Sequence, residues 1–347
     1  MVENGTTDDR GGNGPNAEAS PFAPPKISLP KGGGAIRGID EKFAANPVTG
    51  TGSLAIPIAT SPGRFGFGPQ LSLSYDSGHG NGIFGMGCSL SLPSISRRTD
   101  KGLPRYRDAE KEDSDIFILS GAEDLVPVLE RTDTGQWLFD EIERDGYRVK
   151  RYRPRIEGLF ARIERWTNLD TGEAHWRSIS KDNVLTVYGL DAGSRIADPE
   201  APGHVFSWLI CRSYDDKGNA IVYDYVEEND HGVDLRKPSE RNRKISANRY
   251  PKRIRYGNRV PLLLDPDTPG LRISHLAPHD LDAAGWMFEV VFDYGEGYYR
   301  EDPLDEEGRF FAHVNVEASP DWPARRDAFR PIALALRSAP TGCAGAC

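Results

Sequence analysis

Phe67-Gly-Pro-Gln-Leu-Ser-Leu-Ser-Tyr-Asp-Ser77 and Phe84-Gly-Met-Gly-Cys-Ser-Leu-Ser-Leu-Pro93 decide how this chain folds. Leu71, Leu73 and Tyr75 alternate with Ser72, Ser74 and Asp76, and Cys88, Leu90 and Leu92 alternate with serines. Successive side chains of an extended strand point to opposite faces. A period of two therefore predicts half-buried strands with one apolar and one polar face. The same glycine-punctuated style opens at Lys31-Gly-Gly-Gly-Ala-Ile-Arg-Gly38 and Ala45-Asn-Pro-Val-Thr-Gly-Thr-Gly-Ser-Leu54. It resumes at Gly102-Leu-Pro-Arg-Tyr106 and in the apolar run Asp115 to Val128. The polar run Arg105 to Asp115 between them reads as an exposed loop.

Beyond residue 131 the strands become longer and more aromatic. Tyr147 to Tyr152, Phe160 to Trp166, His175 to Ile179, Val184 to Tyr188, Phe206 to Tyr214, Ala220 to Val226 and Trp286 to Gly295 all favour extension. Thr132-Asp-Thr-Gly135, Asn168-Leu-Asp-Thr-Gly172 and Asp215-Asp-Lys-Gly-Asn219 read as turns, the last as a hairpin. Arg37 to Ala45 reads as at most a short turn, and no long helical face is evident.

The composition agrees with many short strands and many turns. The chain has 347 residues with 37 Gly and 26 Pro, and its aromatic content of 10% argues against general disorder. Mean hydropathy is −0.54. A net charge of −9 gives no general attraction to nucleic acid or anionic lipid. The basic stretches Arg144 to Arg165 and Arg236 to Arg259 are interspersed with acids and read as solvated strand faces. Four cysteines make no disulfide framework. Cys88 and Cys211 read as small buried hydrophobes, and Cys343 and Cys347 lack the further ligands that zinc needs. No run approaches the roughly 18 apolar residues of a membrane span, and residues 1–10 lack the basic start and apolar core of a standard signal peptide.

Chemical motifs fail one by one. Glu110-Lys-Glu112 and Glu141-Ile-Glu143 spell the acidic pair of an ADP-ribosyltransferase, but neither follows a Ser-Thr-Ser strand. His275 and His279 are four apart, yet Pro278 breaks the helix that would align them. Asp265-Pro-Asp267 starts like a calcium loop but runs out of oxygen ligands at Pro269 and Leu276. Gly32 to Gly38 lacks the lysine and hydroxyl residue of a phosphate loop, and Ser120-Gly121 lacks a nucleophile-elbow frame. Asp215 and Asp216 read as turn formers. No catalytic, cofactor-binding or metal residue is assigned.

Taken in order, Lys31 to Gly38, Ala45 to Leu54, Gly66 to Ser77, Phe84 to Arg97 and Ser114 to Val128 resemble a known family. It is the N-terminal domain shared by the Salmonella virulence plasmid protein SpvB and the TcaC-type B component of insecticidal toxin complexes. A weaker resemblance continues through Tyr152 to Gly158, Tyr214 to Asn219, Tyr250 to Asn258 and Phe292 to Gly295, covering roughly 27–327. Asp40, Ile83 and Cys88 stand where the family commonly has glycine, proline and tryptophan. From Arg330 onward the likeness is lost.

The resemblance implies a mainly β fold, with short antiparallel strands forming curved sheets or a β-sandwich-like part of a toxin-complex shell. Its expected organisation is a flexible leader at 1–25, a glycine-rich β region at 26–130, an aromatic-rich β region at 131–327, and an aberrant or truncated tail at 328–347. The implied role is a noncatalytic structural domain that encapsulates or presents a toxic effector, with Trp166, Trp176, Trp208 and Trp286 anchoring its layers. Any ADP-ribosyltransferase or other toxic activity is expected on a separate domain or chain. The implied partners are a C component and its cargo. Contact with an A component is not expected without a propeller. The expected location is the cytoplasm before release and the exterior after it, reached without a standard signal peptide. The alternatives are a carbohydrate- or cell-surface-binding β-module, for which exposed aromatics would form one flat strip, and an enzyme with a convergent acidic pair in a cleft.

Overall fold

The alternating stretches become antiparallel strands in the computed structural model. It describes residues 42–46, 50–82, 84–108, 115–120, 123–158, 160–230, 234–238, 240, 244–262, 281–294, 299–301 and 312–314. The expected leader at 1–25 and tail at 328–347 lie outside these residues.

The first described strands are β1 (Lys42–Asn46), β2 (Thr51–Ile58), β3 (Leu71–Asp76), the short pair β4 (Asn81–Gly82) and β5 (Gly85–Met86), and β6 (Cys88–Leu90). Strands β1, β2, β3 and β6 form a small four-stranded sheet in that order. Lys42–Asn46, read from sequence as part of a turn, is a strand because it pairs along Thr51–Ala55. The predicted apolar face of β3 is only partly buried. Leu71 joins the main core, Leu73 is half-buried, and Tyr75 is 41% exposed.

Next come β7 (Ser94–Arg97), β8 (Phe117–Leu119), β9 (Glu123–Pro127), β10 (Leu129–Arg131), β11 (Trp137–Phe139), β12 (Glu141–Arg144), β13 (Tyr147–Pro154), β14 (Arg162–Asn168) and β15 (Ala174–Ile179). They are followed by β16 (Leu185–Tyr188), β17 (Arg195–Asp198), β18 (Ala201–Tyr214), β19 (Ala220–Glu227), β20 (Arg249–Asn258), β21 (Trp286–Val291), β22 (Tyr299–Glu301) and β23 (Ala312–Val314). Local turn chemistry sets the hairpins. Asp145 and Gly146, with φ of 51° and 78°, make the two-residue turn between β12 and β13 that a primed turn demands. Asn168 Oδ1 accepts from the backbone of Asp170 and Thr171, both at 2.9 Å. No α-helix occurs among the described residues.

The expected open curve or sandwich is instead a closed barrel. Strand order β16-β15-β14-β13-β9-β8-β7-β18 returns to its start, because β18 also pairs with β16. The cause is the length of β18, 14 residues. One of its edges meets β7 at Ser207–Leu209 and β19 at Arg212–Tyr214. The other meets β17 and then β16. Strands β19, β20 and β21 continue outward from β18 as an extension. The barrel draws strands from both sides of residue 130.

Aromatic side chains fill the interior. Phe117 on β8 and Trp176 on β15 start from opposite sides of the ring of strands, yet their ring centroids are 4.9 Å apart. Tyr152 lies 4.9 Å from Trp176, and Trp208 lies 5.7 Å from Phe117. Each such buried side chain contributes about 1.5–3 kcal/mol by leaving water. A second apolar layer of Leu185, Val187, Cys211, Tyr214, Leu262 and Ala284 covers the outside near β16, so both faces of that strand are buried.

Closure leaves no room at Gly189, which follows β16 with φ +64° and whose amide donates to Leu209 O. A Cβ there would lie 2.3 Å from Trp208 Cδ1 and 2.8 Å from Trp208 Cβ. Gly189→Ala is expected to destabilise the fold by about 3 kcal/mol or more. Gly172→Ala, at φ +74° but with open space, should cost only about 1 kcal/mol. Urea unfolding midpoints of the two variants check this difference.

Candidate functional site

The concentration of charge inside the barrel mouth is the strongest candidate for a site. Alternation along β14 turns Arg165 to the same face as Ile163, and β7 turns Arg97 to the same face as Ile95, so two guanidiniums enter an aromatic interior. The supposed exposed loop supplies their counter-charges. Arg97 Nη1 and Nη2 donate to Asp108 Oδ1 and Oδ2 at 2.5 and 2.6 Å, and Nη1 also donates to Asp115 at 2.8 Å. Arg97 Nε donates to Val205 O at 2.7 Å. Arg165 Nη2 reaches the same Asp108 at 2.6 Å. Asp115 also accepts from the backbone amides of Arg105 and Tyr106. Tyr106 stacks on His204 with centroids 4.6 Å apart and lies under Arg97.

The electrostatics describe a closed ion cluster. Burial works to raise the Asp108 carboxyl, but hydrogen bonds and charge from Arg97 and Arg165 outweigh it and hold it below its ordinary value. Burial likewise opposes the charge on Arg97, and Asp108 and Asp115 overcome it. Burial pushes the Tyr152 hydroxyl up to about 12. Two arginines against two aspartates leave no spare charge for a substrate, and the aromatics occupy the space. This arrangement holds Arg105, Tyr106, Asp108 and Asp115 against the barrel mouth.

A second polar group lies on the outer face. Arg177 stacks 3.5 Å over Trp166, and its Nε donates to His175 Nε2 at 3.0 Å. Trp166 Nε1 donates to Glu164 at 2.9 Å. Burial, then the charges of Arg177 and Arg195, depress His175 well below its ordinary 6.5. Burial also lowers Arg177 to about 10. A neutral imidazole this deeply buried has no route to a substrate.

A crevice of about 290 Å³ between Pro57 and Leu71 is lined by backbone, Thr60, Ser61 and Gln70, with no acid, base or thiol among its lining residues. It offers no acid–base chemistry.

The sequence candidates separate accordingly. Glu141 and Glu143 stand exposed on β12. Asp215 is a turn former, as read. Its carboxylate accepts from the backbone of Lys217 and Asn219 and from the Asn219 side chain, at 2.6–2.9 Å. Ser120 follows β8, its amide donating to Ser94 O. Cys211 is buried, with its thiol pushed up to about 11, whereas Cys88 is only half-buried. Gly32 to Gly38, Glu110, Glu112, Asp265, Asp267, His275, His279, Cys343 and Cys347 lie outside the described residues. Among the described residues no group of three His, Cys, Asp or Glu side chains is arranged to hold a metal. Sequence reading missed Arg97, Asp108 and Arg165. The one signal for Arg165 was its two-residue offset from the inward Ile163.

Asp108→Asn removes the carboxylate shared by two buried arginines, and is expected to cost about 3–5 kcal/mol. Asp100→Asn, at an exposed pair with Arg98, should leave the unfolding midpoint unmoved. For His175 the folded state refuses a proton that the unfolded chain accepts, so its stability is fully present well above pH 6.5 and is lost as pH falls through and below that value. The chain is expected to be less stable at pH 5.5 than at pH 7.5, and His175→Gln should flatten this part of the stability–pH curve. Chemical denaturation at pH 7.5 and 5.5 measures it.

Comparison with known proteins gives this geometry a lineage. Residues 46–335 match the family described as SpvB, Salmonella virulence plasmid 65kDa B protein. The mono(ADP-ribosyl)transferases SpvB of Salmonella typhimurium strain 14028s and Salmonella dublin are each 35% identical over 273 residues. Those alignments take in 77% of this chain but 42% of the relatives, so the chain spans less than half their length. The solved N-terminal domain of effector protein SpvB from Salmonella typhimurium strain LT2 aligns with a TM-score of 0.56 and 32% identity, covering 77% of this chain and 79% of that one. The crystal structure of TcdB2-TccC3 aligns with a TM-score of 0.62 and 32% identity, covering 88% of this chain and 14% of that one. A Photorhabdus luminescens Tc holotoxin pore gives 0.62 and 31%, over 89% and 13%. The match falls on the N-terminal, noncatalytic domain of SpvB and not on its C-terminal transferase. The chain belongs to the SpvB family.

Proposed function

We propose that this chain is a rigid wall piece of a toxin-delivery assembly, helping to enclose or present a toxic effector whose activity resides elsewhere. A C-component-like protein such as TccC3 is its partner on this reading, as the alignment with TcdB2-TccC3 supports. The observation that carries the proposal is the filled, ion-latched barrel. Its large aromatics Trp166, Trp176 and Trp208 are buried in packing and do not form a flat exposed strip for sugar binding. A wall needs stiffness and impermeability, and a packed barrel without a reactive cleft supplies both. On this reading the chain is made in the cytoplasm and acts outside the cell. No helix among the described residues is long and apolar enough to cross a membrane.

The test is a chimera in which the matched region of TcdB2 is replaced by this chain. The chimera is expected to assemble with TccC3 and shield its enclosed cargo from added protease. A chimera that assembles but leaves the cargo digestible would overturn the wall role.

A further inference from the structure

The hairpin β10–β11 belongs to no larger sheet and hydrogen-bonds across its own two strands alone. Its register sets Leu129 opposite Phe139 and Arg131 opposite Trp137 on one face, with Glu130 opposite Leu138 on the other. Leu129, Trp137 and Leu138 are 47%, 63% and 47% exposed, so the ribbon offers apolar side chains on both faces. Ile142, on the adjoining β12, is 51% exposed. An isolated two-stranded ribbon is marginal by itself, and bare apolar surface on both faces is unfavourable in water.

The base of the ribbon is nevertheless fixed. The Asp140 amide donates to Val128 O, and its carboxylate accepts from Arg151 Nη1 at 2.6 Å. Lys150 Nζ sits 3.4 Å from the Phe139 ring centroid. The tip is a turn closed by Thr132, whose Oγ1 accepts from the Gln136 amide. The ribbon is therefore held in shape before anything covers it.

Its charge is one-sided. Arg144 pairs with Asp145 and Arg148 faces Glu143. Glu130, Asp133 and Glu141 make no ion pair among the described residues, and Arg131 is the ribbon's lone cation. A flat surface could cover one face of such a ribbon. A groove can grip both, and lysines or arginines on its rim would meet the three carboxylates.

We infer that the β10–β11 ribbon, with β12 at its base, is a docking peg that inserts into an apolar, basic-rimmed groove on a C-component-like partner. This rests on the wall reading above and names the surface through which that assembly is made.

The test uses the full chain with purified TccC3 as the probe. A photo-crosslinking phenylalanine analogue replaces Leu138, with exposed Phe160 as the control position. Crosslinks to TccC3 are expected from position 138 and not from 160. The exposed double change Trp137→Ser with Leu138→Ser should weaken binding about tenfold or more while leaving the thermal unfolding curve in place. Glu130→Lys with Glu141→Lys should also weaken binding and flatten its dependence on salt. If the wild-type chain binds TccC3 and the variants bind equally well, the peg is overturned while the wall reading stands. Crosslinks from position 138 to a second copy of this chain alone overturn it as well. Failure of the wild type to bind TccC3 overturns both.

Discussion

Closure through β18 governs the rest of the molecule. A sheet that returns to its own first strand has no open edge along that circuit, but every inward side chain must then find a partner inside a space that the backbone has already fixed. The aromatic residues meet this demand by size and by edge-to-face contact. Arg97 and Arg165 meet it only because the loop after β7 doubles back to deliver Asp108 and Asp115. The ion cluster follows from closure, and the seating of Asp108 and Asp115 follows from the ion cluster.

Much of this was legible in the residues. The alternations at Tyr147–Tyr152 and Phe206–Tyr214 fall within β13 and β18, Phe160–Trp166 overlaps β14 from Arg162 on, and the Asp215–Asn219 turn is a hairpin held by the Asp215 carboxylate. Barrel closure was not legible. It depends on β18 pairing with both β7 and β16, and no local pattern records which distant strand an edge will meet. The polar stretch around Asp108 misled for a related reason. A short run of charges looks solvated until the arginines it neutralises, more than 50 residues away in the case of Arg165, are known to face inward.

The distribution of polar groups explains why the acids and bases among the described residues assemble no reactive site. Catalysis needs a titratable group poised near a space that substrate can enter. Here His175, Arg177 and Cys211 are perturbed by burial in packed surroundings and Asp108 by the two arginines that pin it, while the open crevice near Pro57 is lined by neutral residues. The basic stretches likewise resolve into pairs, such as Arg151 with Asp140 and Arg255 with Asp224. The molecule uses its charges to hold strands and loops in place.

The long β18 also sets the order of events as the chain is made. It is the last of the eight barrel strands to leave the ribosome, and Ser207, which faces Ser96 in the finished sheet, emerges long after it. At ordinary translation speeds β7 must wait on the order of ten seconds, and the strands after it progressively less, with their inward faces uncovered. During that interval they are natural clients for a chaperone, and a chain stopped short of Tyr214 would remain one.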